Sequence, residues 1–238
     1  RLGFPVFPLK WEDPISRDVS SGYRESGYFP EAFINMLALL GWNPGTEQEI
    51  FSLEELTKEF SLERVGKSGS KFDPDKAKWF NHKYLVEISN TKLAEQFAPY
   101  IAERGITVDL GFVEKVVEII KERANFVSDF WEQSSFFFTA PQDYDEQVVK
   151  KRWKTDSALL MIDLKKQFLL IDDFSAENIK DRIHFFAQER NVGLGAIMNA
   201  LRLLLVGGSF GPDLAVIAEM IGKDEVLKRI DTGILKLG

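Results

Sequence analysis

The run GKSGS at residues 66–70 carries the Gly-Lys-Ser with which some loops bind a phosphate through backbone N–H groups and a lysine. The complete motif needs a glycine five positions earlier, where this chain has Ser61, and an apolar strand before it. Neither requirement is met, so a solvated turn between helices is the preferred interpretation. Lys67 and Lys71 remain candidates for contact with a phosphate.

Three lysines follow in the segment FDPDKAKWFNHKYL, which is predicted to be helical. Lys76, Lys78 and Lys83 lie at spacings that bring them partly onto one face of a helix. Such a face either binds a phosphate backbone or is simply solvated, and both interpretations stay open. His82, beside them, is expected to be exposed or to cap the helix, because no second metal ligand is spaced for it.

Arg202 lies in the run ALRLLLVGG, whose apolar neighbours offer it no local salt bridge. It is either a buried arginine that donates to backbone carbonyl oxygens or a guanidinium that binds a ligand. Further on, Gly211-Pro212 starts a helix, whose first backbone N–H groups can bind an anion, or else forms a plain helix-breaking turn. The three consecutive phenylalanines at residues 136–138 are expected to be core rather than a platform for stacked bases.

The residues that most enzymes use for covalent or metal chemistry are scarce. Cysteine is absent, which excludes disulfides, thiolate zinc sites and a cysteine nucleophile. His82 and His184 are the two histidines, and no G-x-S-x-G run marks a serine nucleophile. We therefore expect no catalytic residue and no metal site. The net charge of −7 argues against a general polyanion binder, so nucleic-acid binding would depend on local basic faces.

The composition is that of a globular protein, with 45% hydrophobic and 28% charged residues in a chain of 238. That length suits one to three compact units. No apolar stretch is long enough to cross a bilayer, and we expect no secretion signal. Because the sequence begins with Arg1 rather than Met, we expect it to be a fragment of a longer protein.

Residues 1–24 are rich in proline, glycine and aromatics, which predicts extended chain with turns. Pro30 fits the first turn of a helix that Gly41 would end as its C′ residue. The apolar stripe predicted for this helix comprises Phe33, Ile34, Leu37 and Leu40, widened by Met36 and Leu39. Ser52 and Glu55 form a capping box for a second helix. Asp73-Pro74 opens a third.

Helical patterns dominate from residue 90 to the end. One helix is expected to end at Gly105, with Pro99 tolerated only at a bend or a helix start. Residues 109–133 predict a single long helix. Its predicted apolar face comprises Phe112, Val116, Ile119 and Ile120. Asp143 with Glu146 indicates another capped start. The chain is therefore predicted to be mainly α, with a little extended or β structure at its N-terminus.

The segment from residue 25 to residue 85 resembles the region that follows the catalytic core of bacterial glutamyl-tRNA synthetases and the related glutaminyl enzymes. In that family a similar Phe-Asp-x-x-Lys-x-x-Trp-x-Asn-x-x-Tyr pattern closes the stem-contact domain. Here Trp79, Asn81 and Tyr84 keep its spacing. The aromatic members of the pattern are expected to be core residues.

The stretch NVGLGAIMNALRLLLVGGSFGPDLAVIAEMIGKDEVLKRI resembles the end of the same family's anticodon-binding region. It departs from the usual pattern at Gly193, Ala200 and Val206, where Lys, Pro and Thr are frequent. The lost lysine removes a phosphate contact. The resemblance implies anticodon-binding roles for Arg202, Gly211, Pro212 and Leu214, and contact with the tRNA stem for Lys76, Lys78 and Lys83.

Arg123 follows a short Glu-apolar-apolar-Lys lead-in that aligns it with an arginine the family uses to read the third anticodon base of tRNA-Glu. A planar guanidinium suits that task because it makes paired hydrogen bonds to a base edge. The alternative is an exposed helical arginine that pairs with Glu122 or Asp129.

The resemblance implies a stem-contact domain at residues 1–88, a first helical anticodon-binding domain at 89–138 and a second at 139–238, the last two forming an all-α superhelical bundle. It implies tRNA-Glu as the partner and a catalytic domain in the same polypeptide that uses ATP and magnesium. The fragment itself would bind no cofactor, and a cytoplasmic monomer without membrane contact is expected. The alternatives are a glutaminyl or non-discriminating enzyme, or a helical protein-interaction scaffold that binds no RNA.

Overall fold

The computed structural model describes residues 5–66 and 71–238. These residues form twelve α-helices and one two-stranded antiparallel sheet, which confirms the mainly α prediction with little β structure near the N-terminus. In the sheet, β1 (Trp11–Glu12) pairs with β2 (Val19–Ser20). Of the GKSGS run, residues 67–70, and with them Lys67, lie outside the described part of the chain.

The chain divides into two compact units, Arg1–Trp131 and Glu132–Gly238. The helices that lie in the first unit are α1 (Pro30–Gly41), α2 (Leu53–Glu59), α3 (Pro74–Glu87), α4 (Asn90–Ala102) and α5 (Leu110–Ile120). Helix α6 (Phe130–Phe138) begins in the first unit and continues in the second. The helices of the second unit that follow are α7 (Glu146–Arg152), α8 (Ser157–Leu169), α9 (Ala176–Glu189), α10 (Leu194–Val206), α11 (Leu214–Ile221) and α12 (Lys223–Leu237). The three-domain division stays a prediction.

The predicted helix starts in the first unit are confirmed. Pro30 is a first-turn residue of α1, and Ser52 with Glu55 makes the capping box of α2. The Asp73 carboxylate accepts hydrogen bonds from the backbone N–H groups that begin α3. The prediction for Gly41 is wrong, because Gly41 is the last helical residue of α1 and Trp42, in an extended conformation, caps the helix.

The predicted apolar face of α1 is also wrong in part. Ile34 and Leu37 are 40% and 47% exposed, whereas the buried face includes Asn35. The Oδ1 of Asn35 accepts a 2.9 Å hydrogen bond from the backbone N–H of Phe51 and a 2.7 Å bond from the Tyr84 hydroxyl, whereas its buried Nδ2 has no hydrogen-bond partner among the described residues. Met36 is buried as predicted, with Phe33 and Leu39 packed against the same cluster, so the prediction failed where it included Ile34 and Leu37 and left out Asn35.

The long helix predicted over residues 109–133 does not form. Helix α5 ends at Ile120 and is followed by a 3-10 turn, Lys121–Arg123, after which Ala124 is extended. The Asp129 carboxylate accepts hydrogen bonds from the two backbone N–H groups at residues 125 and 126, which ends any continuous helical pattern. Pro99, expected only at a bend or helix start, instead lies inside α4.

The second unit is built around α10, most of which is buried. Helix α12 packs against α8 and α10, and α11 packs against α9. The α7 cap is Asp145, not the predicted Asp143. Phe136 and Phe137 are buried, which confirms that these two residues are core. Within the described ranges, no helix combines the length and the apolar character needed to cross a membrane.

Candidate functional site

Arg123 is an exposed residue at the end of the 3-10 turn that follows α5. The backbone around it is tightly bound. Lys121 Nζ donates to the carbonyl oxygen of Val86 at 3.0 Å, and His82 Nδ1 lies 2.7 Å from the carbonyl oxygen of Ala124. The predicted role of Arg123 stays a prediction, but the turn that presents it is fixed on helix α3.

Asn81 is fully buried and binds two separate segments of backbone, residues 27–29 and residue 125. Its Nδ2 donates to the carbonyl oxygen of Asn125 at 2.6 Å and to that of Gly27 at 3.4 Å. Its Oδ1 accepts from the backbone N–H of Phe29 at 2.8 Å, at the start of α1. The sequence indicated a mostly architectural role for Asn81 but not the partners that it binds.

Trp79 and Tyr84 support the same region of α3. Trp79 is half-buried and packs edge-on against the ring of Phe80, which is the fully buried aromatic of this segment. Tyr84 is half-buried and donates to the carbonyl oxygen of Phe51 at 2.6 Å. Burial raises the pKa of the Tyr84 hydroxyl to about 12, so the hydroxyl remains a donor at neutral pH.

The three candidate lysines of α3 do not all lie on one face of the helix. Lys76 and Lys83 are seven residues apart, about 700° at roughly 100° per residue, and so share a face, whereas Lys78 lies about 200° from Lys76. All three are exposed. Lys76 pairs with Glu49, and Lys83 Nζ lies 5.6 Å from the centre of the Trp79 ring. Contact with a tRNA stem stays a prediction for each of them.

Arg202 is half-buried, and its guanidinium binds backbone carbonyl groups on both sides of Gly211. Its Nη1 donates to the carbonyl oxygen of Phe210 at 2.8 Å, and its Nη2 donates to that of Pro212 at 2.9 Å. Gly211 adopts a φ of +102°, which few residues with a Cβ tolerate. This geometry matches the alternative of an arginine that donates to carbonyl oxygens; base reading by Arg202 is not tested by it.

The start of α11 is occupied by a carboxylate. Asp213 Oδ1 accepts from the backbone N–H groups of Ala215 at 2.9 Å and Val216 at 3.2 Å, and Lys180 lies 3.1 Å from the same carboxylate. Of the two interpretations given for Gly211-Pro212, the one in which free N–H groups bind an anion is therefore wrong for Ala215 and Val216. Leu214 is buried, so its side chain belongs to the core.

Two opposing effects set the pKa of Asp213. Burial by itself raises that pKa, but the hydrogen bonds from Lys180 and from the backbone N–H groups of Val216 and Ala215 outweigh it. The pKa of Asp213 is therefore below its ordinary value, and the cap is negatively charged at neutral pH.

Arg229 is a buried charged residue that sequence reasoning missed. It is 3% exposed, its Nε donates to Glu225 at 2.8 Å, and its Nη1 donates to the carbonyl oxygens of Phe136 and Leu205. Burial lowers the pKa of its guanidinium, and the bond to Glu225 opposes that shift. The helical spacing of α12 could have predicted this burial, because Arg229 lies three residues after Val226 on the stripe that faces the core.

The candidate residues fall into separate units. Arg123 and the α3 lysines belong to the first unit, and Arg202, Gly211, Pro212 and Leu214 belong to the second. Over the described ranges, no group of three histidine, aspartate or glutamate side chains could hold a metal ion. The exposed candidate side chains are Arg123 and the three lysines of α3, whereas Arg202 donates to carbonyl oxygens and Leu214 is buried.

Two family models match the sequence. The anticodon binding domain matches residues 92–234, which is more than half of the chain. The catalytic domain of class I tRNA synthetases for glutamate and glutamine ("E and Q") matches residues 15–79. The second match falls within the region predicted to be a stem-contact domain.

Among curated relatives, the chain is 49% identical to a glutamate–tRNA ligase of Christiangramia forsetii and 50% identical to one of Parabacteroides distasonis, each over 98% of this chain and 46% of the relative. A crystal structure of a glutamate tRNA ligase from Elizabethkingia meningosepticum, in complex with its amino acid, matches with a TM-score of 0.95 and 45% identity over the whole chain and 47% of that protein. The chain spans about half the length of the curated relatives it matches.

Proposed function

This chain belongs to the anticodon binding domain family, and from that premise we propose that it is the tRNA-recognising part of a glutamate–tRNA ligase. The observation that carries the proposal is the family match over residues 92–234. Relatives that are about half identical to it along nearly its whole length are glutamate–tRNA ligases, which favours tRNA-Glu as the ligand. The same relatives weigh against a glutaminyl enzyme.

In this proposal Arg123 reads the third anticodon base, and the turn around Gly211 helps to bind the anticodon loop. Arg202 supports that turn through its bonds to Phe210 and Pro212. Lys76 and Lys83, which share a face of α3, contact the phosphate backbone of the stem, and Lys78, which lies on another face of the helix, would have to reach a different phosphate. Because the chain carries a net charge of −7, these local basic groups would set where the RNA binds.

The longer protein would activate glutamate with ATP and transfer it to tRNA-Glu in the cytoplasm. ATP and magnesium are assigned to the catalytic part of that protein. The isolated chain is therefore proposed to be inactive in exchange of pyrophosphate into ATP. An exchange signal from a preparation cleared of host synthetase would contradict this assignment.

The test is binding of a labelled tRNA-Glu transcript to the isolated chain, followed by fluorescence anisotropy over a series of salt concentrations. We expect binding that weakens as salt increases, and tighter binding to the native tRNA than to the same tRNA with its third anticodon base changed. A protein-interaction scaffold would bind neither RNA at low salt. Equal binding to both RNAs would leave only a non-specific polyanion contact.

A further inference from the structure

We infer that Asn81 and His82 are positioning residues that hold the turn carrying Arg123 in the conformation needed to read a base. The inference rests on the proposed function and deepens it. Neither residue is assigned a contact with RNA. Both lie on α3, next to each other in the sequence, and both bind the backbone that follows Arg123.

The turn needs such support because it lies outside regular structure. Ala124 is extended, with φ −108° and ψ 146°, so its carbonyl oxygen cannot join the hydrogen-bond pattern of α5. Ala124 is also 1% exposed, so bulk water cannot supply the hydrogen bond that its carbonyl oxygen needs. Buried backbone carbonyl groups need a partner, and here His82 supplies one at 2.7 Å. Since a carbonyl oxygen accepts, the Nδ1 of His82 carries the proton.

Asn81 supplies the next contact along the chain. Its amide donates to the carbonyl oxygen of Asn125 at 2.6 Å while its own oxygen accepts from Phe29 N at 2.8 Å. One buried side chain thus connects the start of α1 with the backbone two residues after Arg123. The ring of Phe126 reinforces this link by packing edge-on against Tyr28, with ring centres 4.9 Å apart.

A third contact restrains the other side of Arg123. Lys121 Nζ donates to the carbonyl oxygen of Val86 at 3.0 Å, near the end of α3. The turn is therefore attached to α3 through the Lys121 side chain before Arg123 and through the backbone carbonyl groups of the two residues after it. A side chain whose backbone is already fixed loses less freedom when it binds, which favours selective recognition.

The decisive variant is His82→Phe, which keeps a planar ring, though a larger one, and removes the donor to Ala124. Asn81→Asp keeps the acceptor for Phe29 but loses the donor to Asn125; because Asn81 is fully buried, this variant is also expected to fold less stably. His82→Asn restores an N–H near the position of Nδ1 and serves as the rescue. His184→Phe, at an exposed position of α9, is the matched control.

The readout is the ratio of Kd values for tRNA-Glu with its native and with a changed third anticodon base. We expect His82→Phe to reduce this preference about two- to tenfold, the range that one lost hydrogen bond covers. His82→Asn should recover most of it, and His184→Phe should match the wild type. An unchanged preference in His82→Phe, with a normal unfolding transition, would overturn the inference.

A second measurement separates this inference from the proposed function. Hydrogen–deuterium exchange of the peptide covering residues 121–129, without RNA, should be faster in His82→Phe than in the wild type or in His184→Phe. Faster exchange together with no base preference in the wild type would mean that the turn is held as described while the proposed function fails. Unchanged exchange would show that His82 does not hold the turn.

Discussion

The guanidinium of Arg202 spans Gly211, donating to the carbonyl oxygen on each side of it, at 2.8 Å to Phe210 and at 2.9 Å to Pro212. An arginine at this place therefore stabilises the turn that precedes α11. Its planar fork matches two carbonyl groups held at a fixed separation, which a lysine ammonium cannot reproduce.

We expect Arg202→Lys to lower the free energy of unfolding by about 1–3 kcal/mol, because it keeps the charge but loses the paired hydrogen bonds. Urea unfolding of the purified chain measures this. Arg152→Lys, at the exposed end of α7, is the control and should leave stability unchanged. Normal stability in Arg202→Lys combined with weaker tRNA binding would instead identify Arg202 as a contact to RNA alone.

Arg123→Gln is expected to reduce discrimination between tRNA-Glu and tRNA-Gln more than it weakens overall binding. Losing a paired contact to a base edge costs about 1–3 kcal/mol against the wrong base. Competition binding with the two tRNAs gives the ratio. Lys115→Gln, an exposed position of α5, controls for the lost positive charge. Equal weakening towards both tRNAs would make Arg123 a phosphate contact.

Asp213→Asn tests the charge on the α11 cap, since asparagine caps a helix about as well as aspartate. The folded-state pKa of Asp213 is lowered, so its charge stabilises the fold above the pKa of the unfolded chain, and this contribution disappears as pH falls through the folded-state pKa. Because the side chain is 45% exposed, solvent screening keeps the effect at neutral pH near 0.5 kcal/mol.

Urea unfolding of both proteins from pH 7 down to about pH 3 measures this difference. The two stability curves should converge at the acid end. Lys180→Gln should lose part of the same stabilisation, and adding Asp213→Asn to it should cost less than the single change does. Curves that stay parallel at every pH would exclude a contribution from the charge.

Gly233→Ala is expected to destabilise the chain even though alanine favours helix. A Cβ at Gly233 would lie 2.3 Å from Leu204 Cδ2, and Leu204 is fully buried and cannot move aside without disturbing α10. Overpacking of this kind costs about 1–3 kcal/mol.

The control is Gly195→Ala. At Gly195 the nearest atom, Asn199 Nδ2, is 3.9 Å away, so this change should be neutral or stabilising by up to about 1 kcal/mol. Thermal unfolding of both variants decides the matter, and similar melting temperatures would refute the packing argument.

Much of the fold could be predicted because its signals are local. Pro30, the Ser52–Glu55 box and Asp73 each act within one turn of their own helix, so sequence alone locates those starts. The break after Ile120 has a different origin. It depends on side chains about forty residues earlier, Asn81 and His82, which bind the backbone of residues 124 and 125. The cap at Asp129 is a local contribution to the break, but no local pattern contains the bonds from Asn81 and His82.

In the candidate site, too, local features could be predicted and long-range contacts could not. The guanidinium of Arg202 and its apolar neighbours indicated two possible roles, and the structure shows that it binds the carbonyl groups beside Gly211. Asn35 and Arg229 were missed because a buried polar residue breaks the apolar pattern that sequence reasoning follows. Their partners, Phe51 and Leu205 among them, are distant in sequence.

Because the chain is not helical between α5 and α6, the Lys121–Arg123 turn can change in sequence or length without extending a helix. In an uninterrupted helix, each inserted residue would rotate everything after it by about 100° and would disturb the packing of the next helix. Here the backbone is anchored on α3 before and after Arg123, so changes within the turn need not alter the register of α6. Under the proposed function, selectivity for a base can therefore change through this turn while the surrounding helices stay as they are.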